Sequence, residues 1–178
     1  MQDENYIISQ FEINDESFRY KRIINSYEYE KETDEQITEW DSLDVKPNYA
    51  QISKCEIFIN NEKIPFDYYY LFPNTGIYTI KYKFNTIINS TSFMFARCES
   101  MVSIDFTHFN SSKIEYVMYM FFWCSSLRSI NFGDFNTEKV TDMNDMFDGC
   151  FALKSIEVNN NNFNKFKNII GENLLKLK

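Results

Sequence analysis

The chain has 178 residues, enough for one or two small domains, and its eighteen Phe and twelve Tyr supply ample core material. With only four Gly and three Pro, it has the composition of neither a disordered tract, a collagen, nor a Gly-rich phosphate-binding loop. A net charge of −8 and a pI near 4.7 exclude the basic footprint of a nucleic-acid binder and disfavour docking on anionic lipid.

The charge is unevenly placed. Residues 1–50 hold thirteen acidic and five basic residues, whereas the remaining 128 hold thirteen of each. The start, MQDENYIISQF, has no basic n-region followed by an apolar stretch, and no run approaches the ~20 apolar residues of a membrane span. These features predict an intracellular chain without direct membrane insertion, with the cell surface as the alternative.

In chain order, Tyr6-Ile7-Ile8 and Arg19 to Ile24 are β-branched and aromatic and flank the acidic turn Asn14-Asp15-Glu16. Residues 28–50 form an acidic loop with room for a short helix presenting Ile37 and Trp40, ended by Pro47. Cys55 to Ile59 meets Asn60-Asn61, a pair that tolerates positive φ, and returns through Lys63 to Phe66 as a hairpin. Tyr68 to Phe72 is another apolar run. After the turn Pro73-Asn74-Thr75-Gly76, the alternation of Tyr78, Ile80, Tyr82 and Phe84 with Lys81 and Lys83 predicts a strand.

From Thr91 a period of 26 residues takes over. Cys98, Cys124 and Cys150 are in step, as are Met94-Phe95, Met120-Phe121 and Met146-Phe147, then Met101, Leu127 and Leu153, then Ile104, Ile130 and Ile156. A fixed period of this size predicts a solenoid, each rung burying its face against its neighbours. Met143, Met146, Phe147 and Cys150 are at helical spacing and precede Leu153, Ile156 and Val158, so each rung reads as one short helix and one short strand. The tail places Phe163, Phe166, Ile169, Ile170, Leu174 and Leu175 on one face, as a helical lid.

The units MFARCESMVSIDFTHFNSSKI, MFFWCSSLRSINFGDFNTEKV and MFDGCFALKSIEV resemble the BspA-type leucine-rich repeat, whose usual form is close to MFxxCxxLxSLDLSxFNTxxVTxM. The preceding block from Cys55 to Phe84 looks like the leader before such repeats in protist members. The resemblance implies an α+β fold with a short β/α leucine-rich-repeat solenoid. It also implies use in protein–protein contact, in cell-surface proteins or in internal proteins of protists. The expected domains are a β-rich N-terminal cap over 1–84, a solenoid over 85–160 and a C-terminal capping helix over 161–178.

Sites follow from the phase of the repeat. The cysteines lack the short CxxC pairs of zinc sites and fall at inward positions, which predicts buried free thiols and no metal. His108 is the only histidine, and no second base accompanies a nucleophile, so neither catalysis, a cofactor nor a small-molecule substrate is expected. In the middle rung Phe122 replaces Ala96 and Asp148, and Trp123 replaces Arg97 and Gly149. Tyr116 and Tyr119 are likewise out of pattern, and with Trp123 they stand at i, i+3 and i+7, one face of the expected helix. Tyr116, Tyr119, Phe122 and Trp123 form a candidate partner site, unless the acidic segment, for instance near Trp40, folds back over them. A second candidate is the outward strand face. It has one column of Asp105, Asn131 and Glu157, and another of Val102, Arg128 and Lys154. The functional expectation is a non-catalytic protein-interaction module or assembly subunit; a cell-surface adhesin is the alternative.

Overall fold

A computed structural model describes residues 5–33, 45–159, 164–168 and 175–177. The centre of the molecule is β1 (Tyr6–Ile13), whose Ile7, Ser9, Phe11 and Ile13 turn inward in strict alternation. On one side β1 pairs antiparallel with β6 (Gly76–Lys83), in register from Tyr6↔Lys83 to Ile13↔Gly76. β6 then pairs with β3 (Glu56–Ile59), and β3 with β4 (Glu62–Ile64) through the Asn60-Asn61 turn at φ 48° and 73°. On its other side β1 pairs antiparallel with β7 (Met101–Asp105), with a register shift at Gln10/Phe11. Beyond it β8 (Ser129–Asn131), β9 (Ser155–Val158) and β10 (Leu175–Leu177) continue in parallel. The result is a mixed eight-stranded sheet of order β10-β9-β8-β7-β1-β6-β3-β4. A two-stranded sheet of β2 (Tyr20–Arg22) and β5 (Tyr69–Leu71) is separate.

The expected β/α leucine-rich-repeat solenoid is overturned by this sheet. The helices described are two short elements, α1 (Tyr27–Thr33) and α2 (Tyr49–Ile52), and a helical turn over 164–168; none lies inside the 26-residue units. Residues 92–97, 118–123 and 144–149 run as successive turns. Their amides alternate between two jobs. Those of Met94, Ala96 and Cys98 close turns on Thr91, Phe93 and Phe95 carbonyls at 3.0, 2.9 and 3.1 Å. Those of Phe93, Phe95 and Arg97 point sideways to Met118, Met120 and Phe122 carbonyls in the next unit, at 3.1, 3.0 and 2.6 Å. An α-helix would keep its amides within the segment. Here left-handed residues recur at Phe93, Tyr119 and Asp145, and again at Arg97, Trp123 and Gly149, and send them to the neighbour. Each non-glycine residue in that conformation costs roughly 1–2 kcal/mol, which the shared ladder offsets.

β1, β6, β3 and β4 all lie on the side of β7 away from β8, so the N-terminal strands continue the sheet beside the first unit. One further expectation is corrected. The C-terminal helical cap is replaced by the turn at 164–168 and strand β10, which runs parallel to β9. Ile37 and Trp40, and Phe163, Ile169, Ile170 and Leu174 of the expected lid, lie outside the described residues.

One core joins the sheet to the turns. Phenylalanines stack in columns through it: Phe95 on Phe121 at 6.0 Å, and Phe121 on Phe147 at 5.9 Å, both 8° from parallel. Phe106 stacks on Phe132 at 5.3 Å. The third unit has the smaller Val158 at that phase, and Phe166 stacks on Phe132 instead, at 4.6 Å. Aromatic repetition therefore serves core packing along the whole stack.

Candidate interaction surface

The acidic N-terminal segment docks on the first unit. Ser26 Oγ accepts the Tyr29 amide at 3.2 Å as the start of α1, which brings Glu30 to a fully buried position. There its carboxylate accepts from Arg22 and Asn25 at 2.6 Å and from Arg97 at 2.5 Å. Tyr27 approaches Phe93 at 5.7 Å, and Tyr27 and Val45 join Phe93, Ala96, Met118 and Phe122 in a small buried cluster.

That docking divides the out-of-pattern aromatics. Phe122 is buried within the cluster, and its ring has the Arg97 guanidinium 5.7 Å away. Tyr119 is half-buried and stacks on Phe93 at 4.9 Å; burial and a hydrogen bond to Asp145 push its hydroxyl up to about 12. Tyr116 is half-buried, bridging Ser90 and Asp142 on its two sides, with Lys46 6.0 Å from its ring. Trp123 alone of the four is exposed, at 42%. No helical face unites them, because the segment is a turn ladder with Tyr119 and Trp123 at φ 56° and 55°. Trp123 leans over Gly149, where any Cβ would sit 2.9 Å from its Cα, and meets Phe151 edge-on at 5.7 Å. Phe151 is 77% exposed and was not singled out from the sequence. The signal was present: Glu99 and Ser125 occupy its phase in the other two units.

The strand face is also real as a surface. Asp105, Asn131 and Glu157 are adjacent in register and half-buried, and Asn131 Nδ2 donates to Asp105 at 2.9 Å. They line a shallow groove with Ile8, Gln10, Ser103 and Ser129. The other column is broken. Val102 is buried, Arg128 pairs with Glu12 of β1 at 2.6 Å, and Lys154 is exposed.

A family model described as "Mycoplasma protein of unknown function, DUF285" matches residues 75–171, more than half of the chain. The chain belongs to this DUF285 family. The match takes in β6, the three stacked units and the turn at 164–168. No curated protein and no solved structure matches the chain.

In this DUF285 chain Cys98 and Cys124 are fully buried, Cys55 is buried and Cys150 half-buried, all as free thiols. Cys124 and Cys150 donate to the Phe95 and Phe121 carbonyls, at 3.0 and 3.1 Å, tying each unit to the one before. Burial pushes all four thiols up, Cys150 to about 12. The folded state thus holds protons that the unfolded chain releases near 9.0. Stability is full below that value and falls as pH rises toward about 12. We expect the urea midpoint to drop between about pH 8 and pH 10, and a disulfide reagent at about pH 8 to modify Cys150 before the other three. A midpoint unchanged across that interval would contradict the burial of the thiols.

Among the described residues no group of three His, Cys, Asp or Glu side chains could hold a metal ion, and no helix is long and apolar enough to cross a membrane. His108 stacks on Tyr6 at 4.7 Å in an exposed position.

Proposed function

We propose that the protein is a non-catalytic interaction module or assembly subunit that binds another protein through the Trp123–Phe151 surface. The observation that carries this reading is that pair of exposed, edge-to-face aromatic rings, held against Gly149 at positions where the other units have Arg97 and Gly149, and Glu99 and Ser125. Water-exposed Trp and Phe side by side are the material of binding hot spots. The half-buried acidic and amide groups of Asp105, Asn131 and Glu157 offer a second, more polar face.

The test compares the wild-type chain with the double variant Trp123→Ser, Phe151→Ser as bait in affinity purification from the source cell. Partner recovery should be lost while the thermal midpoint stays within a range equivalent to about 1 kcal/mol, because both rings are largely outside the core. Phe122→Ser, in contrast, should destabilise the fold. Unchanged recovery by the double variant would remove the proposal.

A second reading is favoured by the recurrent Met-Phe, Cys, Leu and Ile pattern: kinship with BspA-like surface proteins, and an adhesin role. Antibody labelling of intact against permeabilised cells separates the two. Labelling of intact cells supports the adhesin, and labelling only after permeabilisation supports the internal module.

A further inference from the structure

The eight-stranded sheet presents one face to the core. Ile7, Ser9, Phe11 and Ile13 of β1 turn to that face, so Tyr6, Ile8, Gln10 and Glu12 turn to the other, where they are half-buried. Across this outer face one register row runs through Lys63, Phe58, Lys81, Ile8, Asp105, Asn131 and Glu157. Lys63 is exposed and the others are half-buried. The adjacent row is small and polar, with Thr79, Gln10, Ser103, Ser129 and Ser155. Among the described residues the groove over β1, β7, β8 and β9 is lined by strand residues alone.

The row is ordered by charge. Its cations stand on the β6 and β4 side of β1, and its carboxylates on the β7 and β9 side. Lys81 and Asp105 are each one strand from Ile8, Phe58 and Asn131 each two, and Lys63 and Glu157 each three. A half-turn about an axis along β1 exchanges the two sides. It sets Ile8 over Ile8, Lys81 over Asp105 and Lys63 over Glu157, and in the adjacent row Thr79 over Ser103. A twisted sheet keeps its shape under that rotation, so two such faces stack as aligned sheets do, about 10 Å apart. The row is neutral although the chain carries −8, so two copies meet here on balanced charge.

We infer that this outer face is an interface between two copies of the chain, related by a two-fold axis along β1. In such an isologous contact each opposite-charge pair forms twice. A different protein would need the reverse charge order at the same strand spacing; a second copy has it by symmetry. Lys63 pairs with Glu56, and Lys81 lies 4.0 Å from the Tyr6 ring, so the pairs between copies extend existing contacts and chiefly set orientation. At about 4.8 Å per strand the row is about 29 Å wide. With about five residues along each strand, two copies bury roughly 1,000 Å² in total, the size of a weak, reversible interface in the micromolar range. Trp123 and Phe151 belong to the turns and not to the sheet, so the inference goes beyond the surface proposed above and leaves that surface open to a partner.

The experiment is sedimentation equilibrium on the whole chain from about 1 µM to about 500 µM, with Lys81→Glu and Asp105→Lys as variants. Wild type should pass from monomer to dimer across that range, and less readily when salt is raised from about 50 mM to about 500 mM. Each single variant sets like charges opposite each other twice and should weaken association at least about tenfold. Mixed in equal amounts, the two variants should pair about as tightly as wild type, because the mixed dimer has opposite charges at both positions. Asp105 also accepts the Thr107 amide, so if Asp105→Lys misfolds, Lys63→Glu and Glu157→Lys repeat the test. A chain that stays monomeric at about 500 µM overturns the inference and leaves the face to a different protein. A mixture that associates no more tightly than its components overturns it as well. The double variant Trp123→Ser, Phe151→Ser should dimerise as wild type does; a dimer lost in that variant is built on the rings, and only the inference falls.

Discussion

Glu30→Gln is expected to cost about 3–5 kcal/mol of folding stability, more than most single changes in a chain of this size. Glu30 is fully buried and is the common acceptor for Arg22, Asn25 and Arg97. Neutralising it strands the Arg22 guanidinium, whose side chain is 9% exposed, without its partner. The Tyr69 hydroxyl that accepts from Arg22 at 2.7 Å is a neutral group and does not replace a carboxylate. Because α1 is the element that carries Tyr27 onto Phe93, the variant should also loosen the cover over Phe93 and Phe122 and raise binding of an apolar dye. Urea unfolding measures the first effect. A loss under about 1 kcal/mol would mean that the three partners are solvated rather than buried. A combined Glu30→Leu, Arg22→Met, Arg97→Leu variant should recover much of the loss, since breaking a buried pair is worse than replacing it whole.

Phe106→Ala is expected to cost a similar amount, about 3–5 kcal/mol. Phe106 is buried at the end of β7, where its ring meets Phe95, Phe109, Phe121, Phe132 and Phe135 at centroid distances of 5.3 to 6.4 Å. Truncation removes a ring that stacks in one column and meets the other edge-on, and leaves a void that rings fixed by their own backbone ladders cannot close. Phe106→Leu should retain roughly half of the stability lost by the alanine variant. A thermal midpoint for Phe106→Ala equal to wild type would show that the columns are loosely packed.

Much of the local structure was legible. β-branched and aromatic residues marked the start of β1, alternation marked β6, and Asn60-Asn61 marked the hairpin between β3 and β4, because strand burial and positive φ leave residue-type signatures. The 26-residue phase located Trp123, and applied one step further it would have located Phe151. The helix in each unit was misread for a physical reason. Met143, Met146, Phe147 and Cys150 have apolar spacing that suits a helix as well as a run of three-residue turns, and spacing does not say where the amides go. Left-handed Phe93, Arg97, Tyr119 and Trp123 are residue types that carry no turn signature, so nothing in the chain announced them.

By itself, then, the sequence determined the phase of the stack, the inward column of Met, Phe and Cys, and the departures from pattern at Phe122 and Trp123. Only the tertiary structure decided which of those departures face water. Phe122 and Trp123 are neighbours in the chain, yet Tyr27 and Val45 close over one and leave the other open. The tertiary structure also decided that Asn25 and Asn48 finish the first unit's end of the ladder, donating to the Ala96 and Ser92 carbonyls. These outcomes depend on segments more than forty residues apart meeting in space, and a hydrogen bond between them has no counterpart in local spacing or composition.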